Sequence, residues 1–536
     1  MKKLCKKLMI LPISILFMAC STADDLTEEW IKVRAIETPK PGSAGSLDFS
    51  NYISIGNSIA AGFADYALYT ESQENSFPNL LAGQFAMVDA NVVFNQPDIN
   101  SANGFNSAFS TVANNVIAGR TELSLSLLAS VPTTGELITD FTGDKSTLNN
   151  FAVPGLRLAN LETAGYGVRN AYFKRFADDP STSSVLGDAL EVDRSFFSFW
   201  LGSNDCLVYA RSGGQGEAPL VTYDEMAFGK ALSSALGKLT ANKTHGVVLD
   251  ISPIVTLPFF QAVTWDAIEL DNATATRLNT SLEAVNGAIK AAAGFTDTNE
   301  RLISYTAGAN PILVHDEELD DLGPFFDNLV TAGQLTMEQR ASLVPYEQSR
   351  PLVKGELVLL SAAALLNTEA DGDNTERNTP IGIVIPLGFS FMNPANSNGD
   401  RYFLNTEEQS NIVTARATYN RVISATVNEL NNNGADIALV TIQPSLVDVL
   451  GLDAATATKL LLPTGSADGV QGIDIEGITL TPDFSPNGVF STDGIHPNSR
   501  GHGIVANLII DAINARWGSS IPKIDVLSLR GTIFQP

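Results

Sequence analysis

Histidine is scarce in this chain, four residues in 536, and cysteine is scarcer at three. Positive charge is also short: 33 Lys and Arg stand against 59 Asp and Glu, a formal net charge of −26. That imbalance excludes a nucleic-acid binder and a polybasic grip on anionic lipid. So few cysteines cannot build a disulfide framework. Long apolar runs are missing too. Leu8–Met18 contains Pro12 and is too short to span a bilayer, and so is Leu357–Leu366. What remains is 44% hydrophobic and 17% charged, which suits a sizeable packed core and argues against wholesale disorder.

The first residues predict a compartment. A basic stretch, Met1 to Lys7, precedes the short apolar run, so residues 1–19 read as a signal peptide. Leu16-Phe17-Met18-Ala19-Cys20 resembles a bacterial lipobox, which implies cleavage before Cys20 and a diacylglycerol on its thiol. A secretory signal with an incidental cysteine is the alternative. Asp24 and Asp25 look like the surface-export signals of some outer-membrane lipoproteins. The expectation is an exported lipoprotein of the outer membrane, anchored at Cys20. Cys5 leaves with the signal, so Cys206 has no disulfide partner and is a small buried hydrophobe. Residues 20–46, ending in Pro39-Lys40-Pro41-Gly42-Ser43-Ala44-Gly45-Ser46, predict an extended tether.

Four β-rich runs follow: Tyr52–Ile55, Ser195–Leu201, Val247–Ile251 and Ile437–Ile442. Their near-continuous apolar character predicts strands covered on both faces, as in a parallel sheet. Helical patterns fall between them. Thr222 to Glu225 has capping-box spacing ahead of Met226, Leu232, Leu236 and Leu239. Thr406 to Gln409 repeats it ahead of Ile412, Tyr419, Ile423 and Leu430, and Asn433-Gly434 supplies a stop. Such alternation predicts βαβ units with ligands at the carboxyl ends of the strands.

Four segments in chain order resemble the blocks of the GDSL (SGNH) hydrolases. They are YISIGNSIAAG at Tyr52–Gly62, NNFAVPGL at Asn149–Leu156, GSND at Gly202–Asp205 and STDGIHP at Ser491–Pro497. Each is weak alone; together and in order they are specific. The resemblance implies a three-layer α/β/α sandwich with a five-stranded parallel sheet (flavodoxin-like) over 47–536, a serine esterase activity, and no metal or organic cofactor. It implies a triad of Ser58, Asp493 and His496. It also implies an oxyanion hole from the Ser58 and Gly155 backbone amides and the Asn204 side chain. The spans from Ser58 to Gly155 and from Asn204 to Asp493 exceed those of compact members, which places insertions at about 85–148 and 256–404.

The chemistry agrees with these residue types. A serine hydroxyl needs a base, and imidazole is suited to that near neutral pH. An aspartate three residues before the histidine can fix its tautomer. One residue departs from the pattern: the family usually has Asp before the nucleophile, and here Asn57 stands there. His245, His315 and His502 have no partner at motif spacing and are expected to be structural. Asp371-Gly372-Asp373-Asn374 fails the EF-hand spacing and reads as a solvated loop, as does Asp316–Asp321. Acyl-lipid esters are the preferred substrates, from the apolar stretches Phe259-Phe260, Leu357–Leu366 and Ile381–Met392. The alternatives are a surface carbohydrate esterase acting on acetylated glycan and an inactive surface binding lipoprotein. A deacetylase would more often expose aromatic platforms, and Trp265 is the only tryptophan in either insertion.

Overall fold

A computed structural model of the protein describes residues 42–124, 129–294, 296, 298–366, 380–390, 400–442 and 472–535. The signal peptide, Cys20, the tether up to Pro41 and the acidic loop Asp371–Asn374 lie outside the described residues. The last residues assigned to the tether are packed, not extended. Ser520 donates its N–H to Ser43 O at 2.9 Å, and Leu47 is buried, so the spacer ends nearer 42 than 46.

The centre is a parallel four-stranded sheet of β1 (Tyr52–Gly56), β2 (Phe196–Trp200), β3 (His245–Leu249) and β4 (Ile437–Val440), in that spatial order. Side chains alternate across it, as strand geometry requires. Tyr52, Phe196, Val247 and Ala438 join one core with the helices α2 (Phe77–Ala86) and α6 (Ser499–Trp517). Ile53, Phe197, Val248 and Ile437 join another with α4 (Glu225–Thr240) and α5 (Thr406–Asn432). Two further helices, α1 (Ser58–Ala61) and α3 (Ser203–Arg211), start directly after β1 and β2. With helices on both faces, every strand is sandwiched, which is why the strand sequences are mostly apolar, the buried Ser54 and Ser198 hydroxyls bonding each other at 3.0 Å. No helix among the described residues is long and apolar enough to cross a membrane.

The family resemblance implies five strands; among the described residues the sheet has four. A further segment, Asn149–Val153, lies along β1. Ser54 N–H donates to Asn149 O at 2.8 Å, and the Phe151 and Val153 amides return to Ser54 O and Gly56 O at 2.8 and 3.0 Å. It counts only as an isolated parallel bridge. Asn150 closes a local turn on the Ala152 amide at 3.1 Å, and Pro154 ends the segment, so no ladder extends from this edge. The chain thus leaves β1 to one side and returns to β2 on the other. That makes a topological switch point between β1 and β2, where α/β sheets open a crevice.

Both predicted capping boxes are displaced. Asp224, not Thr222, caps α4, accepting from the Ala227 amide at 2.8 Å. Met226 is exposed, and Phe228 takes the core position in its place. For α5 the box is Asn405 and Glu408, one residue earlier than predicted. The cap preference of Asp and Asn wins over Thr at both sites.

The long insertion has its own core, with Ile268, Ile289, Ile312, Phe326, Val358 and Phe403 packed together. Gln409 of α5 donates to Gly355 O at 3.0 Å and ties the insertion to that helix, beside a buried ionic cluster. Arg350 pairs with Asp316 and Glu356, each at 2.6 Å, and Glu408 reaches in from α5. Asp316 is therefore buried, where a solvated face is predicted. Burial, then the charges of Glu318, Asp316 and Glu356, push the Glu408 carboxyl up to about 8, despite the hydrogen bond from Asn405 N–H. Glu408 thus stays protonated in the fold where the unfolded chain ionises it. Its contribution is full below the ordinary value of 4.5 and lost as pH rises toward about 8. Glu408→Gln keeps an acceptor for the Asn405 amide and should lose that dependence. Calorimetry should show the wild-type Tm falling relative to the variant between about pH 5 and pH 8. Parallel curves would contradict it.

Candidate active site

Ser58 follows β1 at the switch point and opens α1. Asn57 caps that helix, accepting from the Ile59 amide at 3.1 Å, and donates from Nδ2 to Ser203 Oγ at 2.6 Å. This second bond crosses the crevice between the ends of β1 and β2. Asn57 is buried with its oxygen and its nitrogen each hydrogen-bonded, so Ser203 accommodates an asparagine at this position. An aspartate could accept from both Ile59 N–H and the Ser203 hydroxyl. Asn57→Asp should leave the fold intact and change turnover within about tenfold, the scale of one adjusted hydrogen bond. Ester hydrolysis that arises only in the variant would contradict this.

The far end of the chain supplies the base. His496 Nε2 is 2.8 Å from Ser58 Oγ, and Nδ1 is 2.8 Å from Asp493 Oδ2. Asp493 is buried, which opposes ionisation. The His496 charge, the ring hydrogen bond and the His496 and Ile495 amides outweigh that and hold its carboxyl down at about 2. An ionised carboxylate only accepts, so Nδ1 carries the proton and Nε2 has its lone pair toward the serine. The three-residue spacing has a local cause. Asp493 Oδ1 takes the Ile495 and His496 amides at 2.8 and 2.9 Å, and the Ser491 amide donates to His496 O at 2.8 Å. One carboxylate thereby holds both the backbone and the ring.

The other predicted residues converge on the same crevice. Gly155 is exposed in a left-handed turn, φ +80°, where an added Cβ would meet only Asn170 Nδ2 at 3.8 Å. Its N–H and that of Ser58 have no hydrogen-bond partner among the described residues. Asn204 sits in the first turn of α3, buried, and spends one amide proton on Leu156 O at 3.0 Å, which ties it to the Gly155 turn. Its other amide proton has no hydrogen-bond partner among the described residues. Gly202, φ +114°, makes that entry possible, since a Cβ there would lie 2.8 Å from Ile251. Asp205 accepts from the Leu158 amide at 2.9 Å, and burial pushes its carboxyl up to about 6.

The remaining histidines are elsewhere. His245 faces Asp436 at 3.4 Å, and His315 is buried in the insertion. His502 Nδ1 accepts from the Phe77 amide at 3.2 Å, and burial drives the ring down to about 3. Cys206 is buried and free. No group of three or more His, Cys, Asp or Glu among the described residues is placed to hold a metal ion.

Sequence reasoning missed the support of the triad loop. Asp65 accepts from Thr492 N–H at 2.9 Å, Thr492 Oγ1 at 2.7 Å and Tyr69 OH at 2.7 Å. The next amide, Tyr66 N–H, donates to Asp493 Oδ2 at 3.2 Å. Asp65 and Tyr66 are both left-handed, φ 52° and 64°, which costs about 1–3 kcal/mol each. That strain is what aims the Tyr66 amide at the carboxylate. Nothing in Ala64-Asp65-Tyr66-Ala67 signals it, because neither residue is a glycine.

The apolar stretches that suggested acyl-lipid substrates are largely spent on packing among the described residues. Phe260 and Leu359 lie in the main core, and Val358 and Leu387 in the insertion's own core, all fully buried. The part of Ile381–Met392 beyond residue 390 lies outside the described residues. No family model, curated protein or solved structure matches the chain.

Proposed function

We propose that the protein is a serine ester hydrolase of the GDSL (SGNH) type, acting through an acyl-serine at Ser58. One observation carries this reading: the continuous hydrogen-bonded chain Ser58–His496–Asp493, with both links at 2.8 Å, built from residues more than four hundred positions apart in sequence. The edge segment Asn149–Val153 then corresponds to the fifth strand of a three-layer α/β/α sandwich.

In this mechanism His496 Nε2 takes the hydroxyl proton as Ser58 Oγ attacks the ester carbonyl. The negative charge that develops on oxygen meets the Ser58 and Gly155 amides and the free proton of Asn204 Nδ2. Collapse expels the alcohol, which recovers the proton from His496. Water then enters by the same route, attacks the acyl-serine and releases the acid. Asp493 stays ionised throughout and steadies the imidazolium.

Acyl esters suit the site better than acetylated glycan. Phe63 packs against the His496 ring with centroids 5.0 Å apart and meets Tyr172 edge-on at 6.1 Å, giving the serine an apolar wall. The N-terminal lipobox fits a protein held by Cys20 at an outer-membrane surface. A series of nitrophenyl esters tests the substrate class. Each added methylene should gain up to ~0.8 kcal/mol in kcat/KM until the apolar surface is covered. A maximum at acetate would overturn the lipid preference and favour the glycan esterase. No hydrolysis of any ester would favour the binding lipoprotein.

A further inference from the structure

We propose that the hairpin tip at residues 109–116 is a lipid-docking surface that seats the mouth of the active site on a lipid aggregate. Its consequence for turnover rests on the ester-hydrolase reading; docking itself does not.

Four observations converge on it. First, Phe109, Val112 and Val116 are 43%, 54% and 54% exposed, three large apolar side chains within one short turn. Single exposed hydrophobics are ordinary, but three within eight residues of one turn offer a partner surface more than isolated side chains do. Second, the tip is built to hold them out. Thr111 and Val116 exchange backbone bonds at 2.9 and 3.1 Å, and Asn115 turns the chain at φ 57°. At its base, Ser110 Oγ donates to Asn106 O at 2.6 Å and accepts from the Ala118 amide at 2.9 Å. Third, the tip adjoins the candidate site. Phe109 meets the Tyr66 ring edge-on at 5.8 Å, and the Tyr66 amide is bonded to Asp493.

The fourth observation is charge. No Asp, Glu, Lys or Arg occurs between Ile99 and Gly119, in a chain whose net charge is −26. Elsewhere that charge resists approach to an anionic or low-dielectric surface. Here no ionised group must be desolvated, so the tip escapes the largest electrostatic cost of entering an uncharged interface. With the insertion's apolar residues consumed by its core, an acyl ester is better met at an interface than swallowed in a channel.

The test uses the full-length Cys20→Ser protein, which lacks the expected anchor, and sedimentation with phosphatidylcholine vesicles. The parent should bind vesicles, and Val112→Ser/Val116→Ser and Val112→Glu/Val116→Glu should each bind at least about tenfold more weakly. Hydrolysis of soluble nitrophenyl acetate should stay within about twofold in both variants, since both valines are more than half exposed and their backbone bonds stay within the tip. Vesicle binding that depends on the hairpin in a protein without any esterase activity would keep the docking surface and reject the enzymatic reading. Equal vesicle binding by parent and variants would overturn the proposal. So would a dimer of the parent that both variants dissociate, which would assign the tip to a second copy of the chain.

Discussion

Ser58→Ala and His496→Ala should each lower ester turnover by at least ~10³, and the double variant should lose little more. The non-additivity follows from the geometry. Without His496 the Ser58 hydroxyl has no base within reach, and without Ser58 the imidazole has nothing to deprotonate. Asp493→Asn should be nearly as damaging, by at least ~10². Its carboxylate takes the Ile495 and His496 amides on one oxygen and the ring and Tyr66 amide on the other. An asparagine that keeps the first pair must turn its NH2 toward two donors, which expels the ring from its tautomer. Steady-state kinetics on a short soluble ester separates these cases. Losses that multiply in the double variant would mean that the two residues do not act as a unit.

Asn204→Ala should lower kcat by about 10²–10³ and leave KM nearly unchanged. Asn204 is buried, and in the proposed mechanism one of its amide protons meets the developing oxyanion, which the ground-state carbonyl uses less. Because its other proton holds Leu156 O, the variant also loosens the Gly155 turn. Asn204→Asp distinguishes the roles, since it removes both donors and adds a repelling charge. It should be at least as inactive as the alanine variant. If either variant raised KM and spared kcat, Asn204 would belong to substrate binding instead of transition-state stabilisation.

The strands of the sheet were legible because burial on both faces favours near-continuous apolar runs, and Tyr52–Gly56 and Ile437–Val440 carry them. The site residues were legible because each sits just past a strand or in a tight turn with its own sequence mark: Gly202, Gly155, and the aspartate three places before His496. The edge segment Asn149–Val153 was not legible as a strand, since Asn150 turns its side chain onto the Ala152 amide and Pro154 has no N–H to extend a ladder. Helix starts shifted because Asp224 and Asn405 out-compete the neighbouring threonines as caps. The left-handed pair Asp65-Tyr66 had no mark at all, since its conformation is imposed by Thr492 and Asp493 from the opposite end of the chain. Nor could apolar content tell a channel from a core. Phe260 and Leu359 are equally apolar in either, and only the packing decides.

The central claim is that Ser58 is an activated nucleophile, and labelling with a fluorophosphonate probe tests it most directly. The folded protein should take up one probe molecule, at Ser58, at a rate that falls at least ~10³-fold in His496→Ala. A folded wild-type protein that takes up no probe, or takes it up equally well as Ser58→Ala, would contradict the account.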